Sequence, residues 1–299
     1  MIDQIVQGVL LGGYYALVAC GLSFMYGVMR IINLAHGSLA ILAAFLVWYI
    51  AEHLGVSPFI ALLIVVPIMA ALGWILQRVV LDRSLRSGPL TPLLSTFGIA
   101  IIIDNLLFER FGADTRSLAP DIGDLSYKSW TLPGGVTVGQ LGLLTLGTAV
   151  VLIVGLQLFL KYAPLGRAIR ATAEDPDTAE LMGINSRSVY AAAAAIALAT
   201  VAIAGAFLGM RSTFDAYSGG AQLIFAFEAV VIGGTGSLWG TLLGAIALGV
   251  AQNLGAQVNP KGFLIAGHLL FFCVLAVRFF AAGGFSLGWL KALRPRQPA

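Results

Sequence analysis

Long apolar runs, separated by short polar connections, recur along nearly the whole sequence. Each has roughly the ~20 residues that an α-helix needs to cross ~30 Å of hydrocarbon. They lack the strict alternation of apolar and polar positions that is typical of barrel strands. The pattern therefore predicts an all-α polytopic membrane protein with spans near residues 5–29, a second ending near residue 50, then 59–80, 92–108, 141–160, 191–210, 221–233, 239–254 and 263–280.

Two breaks in the apolar pattern predict interrupted or re-entrant segments. Asn33, His36 and Gly37 separate the first two spans, and Gly234-Thr-Gly-Ser237 follows the short segment 221–233. If that segment crosses the membrane, the chain makes nine traverses and its two ends lie on opposite sides. If it is re-entrant, the chain makes eight. We expect a bundle of about 8–9 transmembrane helices and favour nine crossings.

Composition supports this assignment. The 299 residues are 59% hydrophobic and only 10% charged, whereas soluble domains carry about 25% charged residues. We expect one transmembrane domain, residues 1–299, with membrane lipid around it and no soluble domain. Cys20 and Cys273 both fall within apolar spans, which does not suggest a disulfide framework.

The distribution of basic residues predicts the orientation, because Lys and Arg are retained on the cytoplasmic side. In the nine-crossing arrangement, 12 of the 17 basic residues are cytoplasmic, and the basic tail 282–299 lies on that side. The 12 are Arg30, Arg78, Arg83, Arg86, Lys161, Arg167, Arg170, Arg187, Arg278, Lys291, Arg294 and Arg296. We therefore expect a multi-pass protein whose loop 161–190 is cytoplasmic.

The loop 161–190 is a polar island between two spans and holds eight of the chain's 31 charged residues. Asp175 is suited to cap a helix that begins at Pro176, because Pro fits the first helical position. Gly183 is suited to end it in a left-handed cap. Helices shorter than ~12 residues are marginal in water unless they dock on something. This pattern predicts a two-turn docking helix for a soluble partner, from Pro176 to Met182, although an ordinary solvated loop is the alternative.

Several polar residues fall within the apolar spans. A carboxylate there costs ~2.5 kcal/mol or more on insertion scales, so it should face a cavity or a partner group. The candidates for a substrate path are Asn33, His36, Asp104, Asn105 and Glu228, with Gln252, Asn253 and His268 as secondary positions. Structural hydrogen bonds or pairs are the alternative for each of them.

Some functions find no support in the sequence. No Gly-x-x-x-x-Gly-Lys-Ser/Thr motif occurs, so an ATP site would belong to another chain. Three His and two Cys residues are too scattered to give metal-ligand spacing, and no nucleophile–base pair indicates an enzyme. No basic groove indicates nucleic-acid binding.

Three motifs together resemble the permease subunit of branched-chain amino acid ABC importers. They are Asn33-Leu-Ala-His-Gly37, the run from Gly166-Arg-Ala-Ile-Arg-Ala171 through Glu174-Asp-Pro-Asp-Thr-Ala179 to Gly183, and Ile232-Gly-Gly-Thr-Gly-Ser-Leu-Trp-Gly240. The resemblance extends over almost the entire chain. It implies a non-catalytic transport subunit of a bacterial inner membrane.

The resemblance also implies an assembly and a coupling site. The expected partners are a second, related permease, two cytoplasmic ATPases that bind ATP and Mg²⁺, and an extracytoplasmic substrate-binding protein. The coupling residues would be Arg167, Arg170, Glu174, Asp175, Pro176, Ala179 and Gly183. The sequence departs from the family's Glu-Ala-Ala pattern, because Asp175 and Pro176 follow Glu174.

Two alternatives remain open from the sequence. One is an importer of the same family for urea, short amides or aromatic acids. The other is a self-sufficient secondary transporter or channel, in which Glu228 and Asp104 would couple transport to ions or protons.

Overall fold

The computed structural model describes residues 1–88, 90–132 and 135–281, so the predicted basic tail 282–299 lies outside the described residues. In the described ranges the chain is almost entirely helical. The helices are α1 Ile2–Met29, α2 His36–Leu54, α3 Pro58–Leu76, α4 Asp82–Arg86, α5 Thr91–Phe111, α6 Gln140–Tyr162, α7 Pro164–Glu174, α8 Pro176–Leu181, α9 Ser186–Arg211, α10 Gly219–Gly233, α11 Leu238–Val258 and α12 Gly262–Ala281.

Eight helical segments in the described ranges are long and apolar enough to cross a membrane. They are α1, α2, α5, α6, α9, α11, α12 and the segment formed by α3, a π-helical turn at Gln77–Leu81 and α4. The ninth apolar helix, α10, has 15 residues, which corresponds to about 22 Å. The prediction of an all-α polytopic membrane protein is confirmed.

The segment between α9 and α11, which includes α10, joins the two ends of the bundle. Beyond the end of α9, Phe214 pairs with Arg116 of the loop between α5 and α6. At the other end of the bundle, Gly236 packs on Gly27 near the end of α1, and Arg278 donates to the carbonyl of Ile232 at 3.1 Å. The chain therefore passes from one end of the bundle to the other between α9 and α11, as the nine-crossing arrangement requires.

Helix α1 lies at the centre of the bundle, between α9, α10 and α11, and most of its residues are buried. Glycines allow its backbone to approach the neighbouring helix closely. A Cβ atom at Gly12 would lie 2.4 Å from Cα of Ile246 in α11, and one at Gly8 would lie 2.5 Å from Cα of Val250. Small residues are what allow membrane helices to pack at this distance.

The loop between α5 and α6 contains more structure than its polar sequence pattern predicts. A 3-10 turn spans Pro120–Ser126, and strands β1 Ser129–Leu132 and β2 Val136–Gly139 form an antiparallel hairpin. The amide of Thr137 donates to Oδ1 of Asp3 at 2.9 Å, so the hairpin covers the amino-terminal end of α1. The orientation rule above places this end outside the cytoplasm.

Candidate functional site

Helices α2 and α10 begin against each other inside the bundle. A Cβ atom at Gly37 would lie only 1.9 Å from the carbonyl oxygen of Gly219, and one at Gly219 would lie 2.7 Å from the amide nitrogen of Ser38. Only glycine backbones can approach this closely. Since the amino ends of helices carry a partial positive charge, two such ends meet within the membrane-spanning part of the protein.

The interrupted segment before α2 brings the start of α2 into contact with the start of α10. Arg30 takes a left-handed conformation (φ 58°) at the end of α1, and the chain then turns back into the bundle. The side chain of Asn33 accepts a hydrogen bond from the amide of Ala35 at 3.0 Å, which fixes the turn. His36 contacts the carbonyl oxygen of Val18 through Nε2 at 2.7 Å. Val18 lies about 16 Å along α1 from Met29, so α2 starts deep inside the bundle.

His36 is therefore a buried residue with one ring nitrogen bound and one free. Its Nδ1 atom has no hydrogen-bond partner among the described residues. A free nitrogen in such a position remains available to a ligand or a water molecule. Asn33, in contrast, is held by its turn contact with Ala35 and by a contact of its Nδ2 with Sδ of Met25 in α1 at 3.9 Å.

The two polar residues of α5, which is the fourth predicted span, lie in different environments. Asp104 of α5 is partly buried and lies beside Ser38 in the first turn of α2. Its Oδ1 atom has no hydrogen-bond partner in the described part of the chain. Asn105 is exposed and donates to the carbonyl of Ile101 on its own helix at 2.7 Å. Asp104 thus joins the His36 region, whereas Asn105 lies on the outer face of α5.

Glu228 of α10 is paired with a residue of α12. Its carboxylate is buried, and Oε1 lies 2.5 Å from Nδ1 of His268. The second carboxylate oxygen, Oε2, has no partner within the described ranges. This contact gives Glu228 the structural pair that was the alternative to a role in the substrate path, and it joins two helices.

A polar network near the start of α10 was not predicted from the sequence. The hydroxyl of Tyr14 donates to Oε1 of Gln222, and that of Tyr15 donates to Oε1 of Gln252 at 2.6 Å. The guanidinium of Arg211 lies over the ring of Tyr14, 5.6 Å from its centroid. Two adjacent tyrosines within the glycine-rich first span were the available signal, since buried hydroxyls need partners.

The polar loop 161–190 folds into two short helices, α7 and α8. Oδ1 of Asp175 accepts hydrogen bonds from the amides of Asp177 and Thr178, both at 3.1 Å, and so caps α8. A hydrogen bond from the Thr178 hydroxyl, followed by the amide bonds, lowers the pKa of Asp175 below its usual value. The predicted cap is present in the structure.

The end of α8 also follows the sequence pattern. Gly183 has a φ of +82°, and its amide bonds to the carbonyl of Glu180 at 3.0 Å, while the amide of Ile184 bonds to that of Ala179 at 3.1 Å. These paired bonds define a Schellman cap. The helix ends at Leu181, one residue before the predicted end.

The tip of α8 exposes large apolar side chains. Leu181 is 86% exposed and Met182 is 79% exposed, although the helix lies in the most polar loop of the chain. Ala179 is buried on the opposite side of α8, and Ser186 donates to the carbonyl of Pro176 at 3.3 Å. The helix is thus anchored at its base and apolar at its tip.

The other predicted coupling residues lie on α7 and at its junction with α8. Arg167 donates to the carbonyl of Tyr162 at 2.8 Å. Arg170 and Glu174 are exposed, and Arg170 makes no ion pair within the described residues. The structure brings the predicted coupling residues onto one short helical stretch.

An ion pair that the sequence did not predict joins the end of this stretch to the start of α4. Asp82, which follows the π-helical turn, is buried and accepts from Nε of Arg187 at 2.5 Å. Nearby, Arg78 donates to Oγ of Ser188 at 2.9 Å. These contacts connect the start of α9 to the π-helical turn and to the first residue of α4. Such π-helical turns are frequent at functional sites.

The described residues contain no group of three or more His, Cys, Asp or Glu side chains that is arranged to hold a metal ion. Cys20 is buried and Cys273 is exposed, and both are free thiols.

Interrupted helices whose ends meet inside the bundle are found in many multi-pass membrane transport proteins. Comparison with known proteins agrees: the family model described as branched-chain amino acid transport system / permease component matches residues 4–289. The chain belongs to this permease family. It is a multi-pass protein of the bacterial inner membrane.

Individual relatives match over most of their length. The chain is 32% identical over 271 residues to the high-affinity branched-chain amino acid transport permease BraD of Pseudomonas aeruginosa, covering 86% of this chain and 87% of BraD. It is 33% identical to LivH of Salmonella typhimurium, covering 85% and 86%. It also matches LivM of Escherichia coli at 32% identity over 110 residues, which is 36% of this chain and 26% of LivM. No solved structure matches.

Proposed function

We propose that this chain is the permease subunit of an ATP-driven importer for branched-chain or other hydrophobic amino acids, and that α8 couples it to separate ATPase subunits. The observation that carries the proposal is the capped α8 helix with its exposed tip of Leu181 and Met182. Apolar side chains on a short, rigid, polar-flanked helix are suited to enter a groove on a soluble partner.

The coupling path begins at this helix. ATP and Mg²⁺ bind to the partner subunits, and closure of those subunits moves α8. The movement passes to α9 through Ser186 and to the start of α4 through the Arg187–Asp82 pair. This chain itself carries out no chemical reaction and holds no cofactor. Coupling by a docked element requires that its contacts differ between two states of the transporter.

The substrate path runs past the meeting point of α2 and α10. Two helix amino ends favour a carboxylate, and the free Nδ1 of His36 is an additional polar group at this depth. Asp104 beside Ser38 offers an acceptor for an ammonium group. BraD and LivH are branched-chain amino acid transport permeases by name, which supports that class over urea, amides or aromatic acids.

The working complex contains a second permease, two ATPases and an extracytoplasmic binding protein. The partial match to LivM supports a related but distinct partner, because LivM is itself named as a permease of the same kind of system.

Reconstitution distinguishes this proposal from an ion-coupled transporter. The chain is purified by affinity from native membranes under conditions that retain partners, and radiolabelled leucine uptake is measured in proteoliposomes. Uptake that requires ATP, the co-purified ATPases and a binding protein supports the proposal. Uptake by the isolated chain under a proton or sodium gradient contradicts it, and would make Glu228 and Asp104 the coupling groups.

A further inference from the structure

A cavity of about 530 Å³ lies at the cytoplasmic end of the bundle, between α1, α6, α7 and the start of α11. Its walls are apolar where the helices face each other, with Phe24, Val28 and Ile169 among the lining residues. Lys161 and Arg170 line its polar part, from α6 and α7 respectively. The cavity thus combines apolar walls with two basic side chains.

These two cations lack acidic partners. Neither Lys161 nor Arg170 makes an ion pair or a side-chain hydrogen bond within the described ranges; the ammonium of Lys161 lies over the ring of Tyr162, 5.1 Å from its centroid. Two positive charges that line one cavity, with no ion-pair partner in the described part of the chain, repel each other. An anion in the cavity would remove that repulsion.

The start of α11 adds further donors. Oγ of Ser237 accepts from the amide of Gly240 at 3.1 Å, and the amide of Thr241 bonds to the carbonyl of Ser237 at 2.8 Å. The amides of Leu238 and Trp239, which line the cavity, precede the first intrahelical bond. Free amides at a helix amino end favour a negatively charged oxygen.

The position of the cavity favours a lipid as the source of that anion. Trp239 of α11 is 44% exposed and Tyr162 of α6 is 62% exposed. One turn closer to the middle of the membrane on the same two helices lie Leu243 and Leu158, which are also exposed. Aromatic residues with aliphatic residues beneath them are typical of the level of the lipid headgroups. Basic pockets between helices on the cytoplasmic side are suited to anionic headgroups.

We propose that this cavity binds the phosphate group of an anionic phospholipid of the inner leaflet. Lys161, Arg170 and the amino end of α11 hold the phosphate, and the apolar walls contact the glycerol and upper acyl chain. Because Arg170 lies on α7, the lipid fixes the base of the polar loop against α6 and α11.

The test uses the full-length chain in mixed micelles with equal amounts of phosphatidylglycerol and phosphatidylcholine, and native mass spectrometry counts the bound lipids. We expect a preference for phosphatidylglycerol of about fivefold or more, since each basic residue near a membrane surface contributes ~1 kcal/mol. The Lys161→Gln/Arg170→Gln variant should lose that preference. The charge-retaining Lys161→Arg/Arg170→Lys variant should keep it, as should Arg110→Gln/Lys261→Gln, which removes two charges at the other end of the bundle.

Three results would overturn the proposal. The first is an equal preference in the wild-type protein and the Lys161→Gln/Arg170→Gln variant. The second is a site for free phosphate, seen as a rise in melting temperature with inorganic phosphate alone and no lipid preference. The third is loss of ATPase association in that variant with its lipid preference unchanged, which would assign the cavity to the protein partner.

Discussion

Arg187, near the start of α9, donates a hydrogen bond from Nε to Oδ2 of Asp82 at 2.5 Å, and so joins two segments that are 105 residues apart in sequence. Asp82 is buried, whereas about half of the Arg187 side chain is exposed. Gln77, in the π-helical turn, donates to the other oxygen of Asp82 at 3.3 Å. The start of α9, at the base of α8, is therefore attached to the start of α4 by a buried carboxylate.

Replacement of Arg187 by Met tests this attachment. The change leaves the buried carboxylate of Asp82 without its cation, and we expect a loss of about 1–3 kcal/mol in the free energy of unfolding. The Asp82→Asn/Arg187→Met variant should recover part of that loss, because no charge is then left unpaired. Chemical denaturation of the purified protein measures both. Equal stability of the wild type and Arg187→Met would contradict the structural role of the pair.

The close contact between α1 and α11 predicts that Gly12 does not tolerate even a methyl group. A Cβ atom there would meet Cα of Ile246 at 2.4 Å, so Gly12→Ala must separate the helices at a cost of about 1–3 kcal/mol. A Cβ atom at Gly147 of α6 would have nothing within 4 Å, so Gly147→Ala provides the matched control. Melting temperatures should fall for Gly12→Ala and stay level for Gly147→Ala; the reverse order would refute the packing.

The pair formed by Glu228 and His268 predicts a defined pattern of rescue. His268→Leu removes the partner of a buried carboxylate and should lower stability by about 1–3 kcal/mol. The Glu228→Gln/His268→Leu variant removes the charge as well and should be more stable than His268→Leu alone. Denaturation curves are measured for the wild type, Glu228→Gln, His268→Leu and the double variant. Additive losses would show that the two side chains do not act together.

The cap of α8 should be sensitive to acid. Because hydrogen bonds from Thr178 and Asp177 lower the pKa of Asp175 in the folded protein, its contribution is present above the unfolded pKa of about 4. It is lost as the pH falls through the lower, folded pKa. Hydrogen exchange at the amides of Asp177 and Thr178, corrected for intrinsic rates, should therefore show protection that is constant from pH 7 to 5 and declines only in stronger acid. In Asp175→Ala that protection should be low at every pH.

Local sequence rules predicted the spans and the bounds of α8 well. The ~20-residue apolar runs fix the long helices, and Asp175, Pro176 and Gly183 mark the ends of α8 through backbone chemistry that depends on near neighbours. The predicted Pro176–Met182 helix and the observed Pro176–Leu181 helix differ by one residue.

Long-range contacts could not be predicted in the same way. The pair of Asp82 with Arg187, that of Glu228 with His268, and the contact of Gly37 with Gly219 each join residues that are far apart in sequence. Nothing in a single sequence indicates which helix faces which. Asn105 shows the same limit, because its neighbour Asp104 is directed toward α2 while Asn105 bonds only to its own helix.

The central claim is that α8 couples this permease to its ATPases through Leu181 and Met182. The most direct test measures ATPase recovery on affinity-purified permease for the wild type, for Leu181→Asp/Met182→Asp, and for Leu54→Asp/Val258→Asp, which changes two exposed apolar residues at the other end of the bundle. We predict that the α8 variant loses at least about nine-tenths of the bound ATPase, which corresponds to ~1.4 kcal/mol, while the control retains it. Full recovery of the ATPases on the α8 variant would contradict the claim.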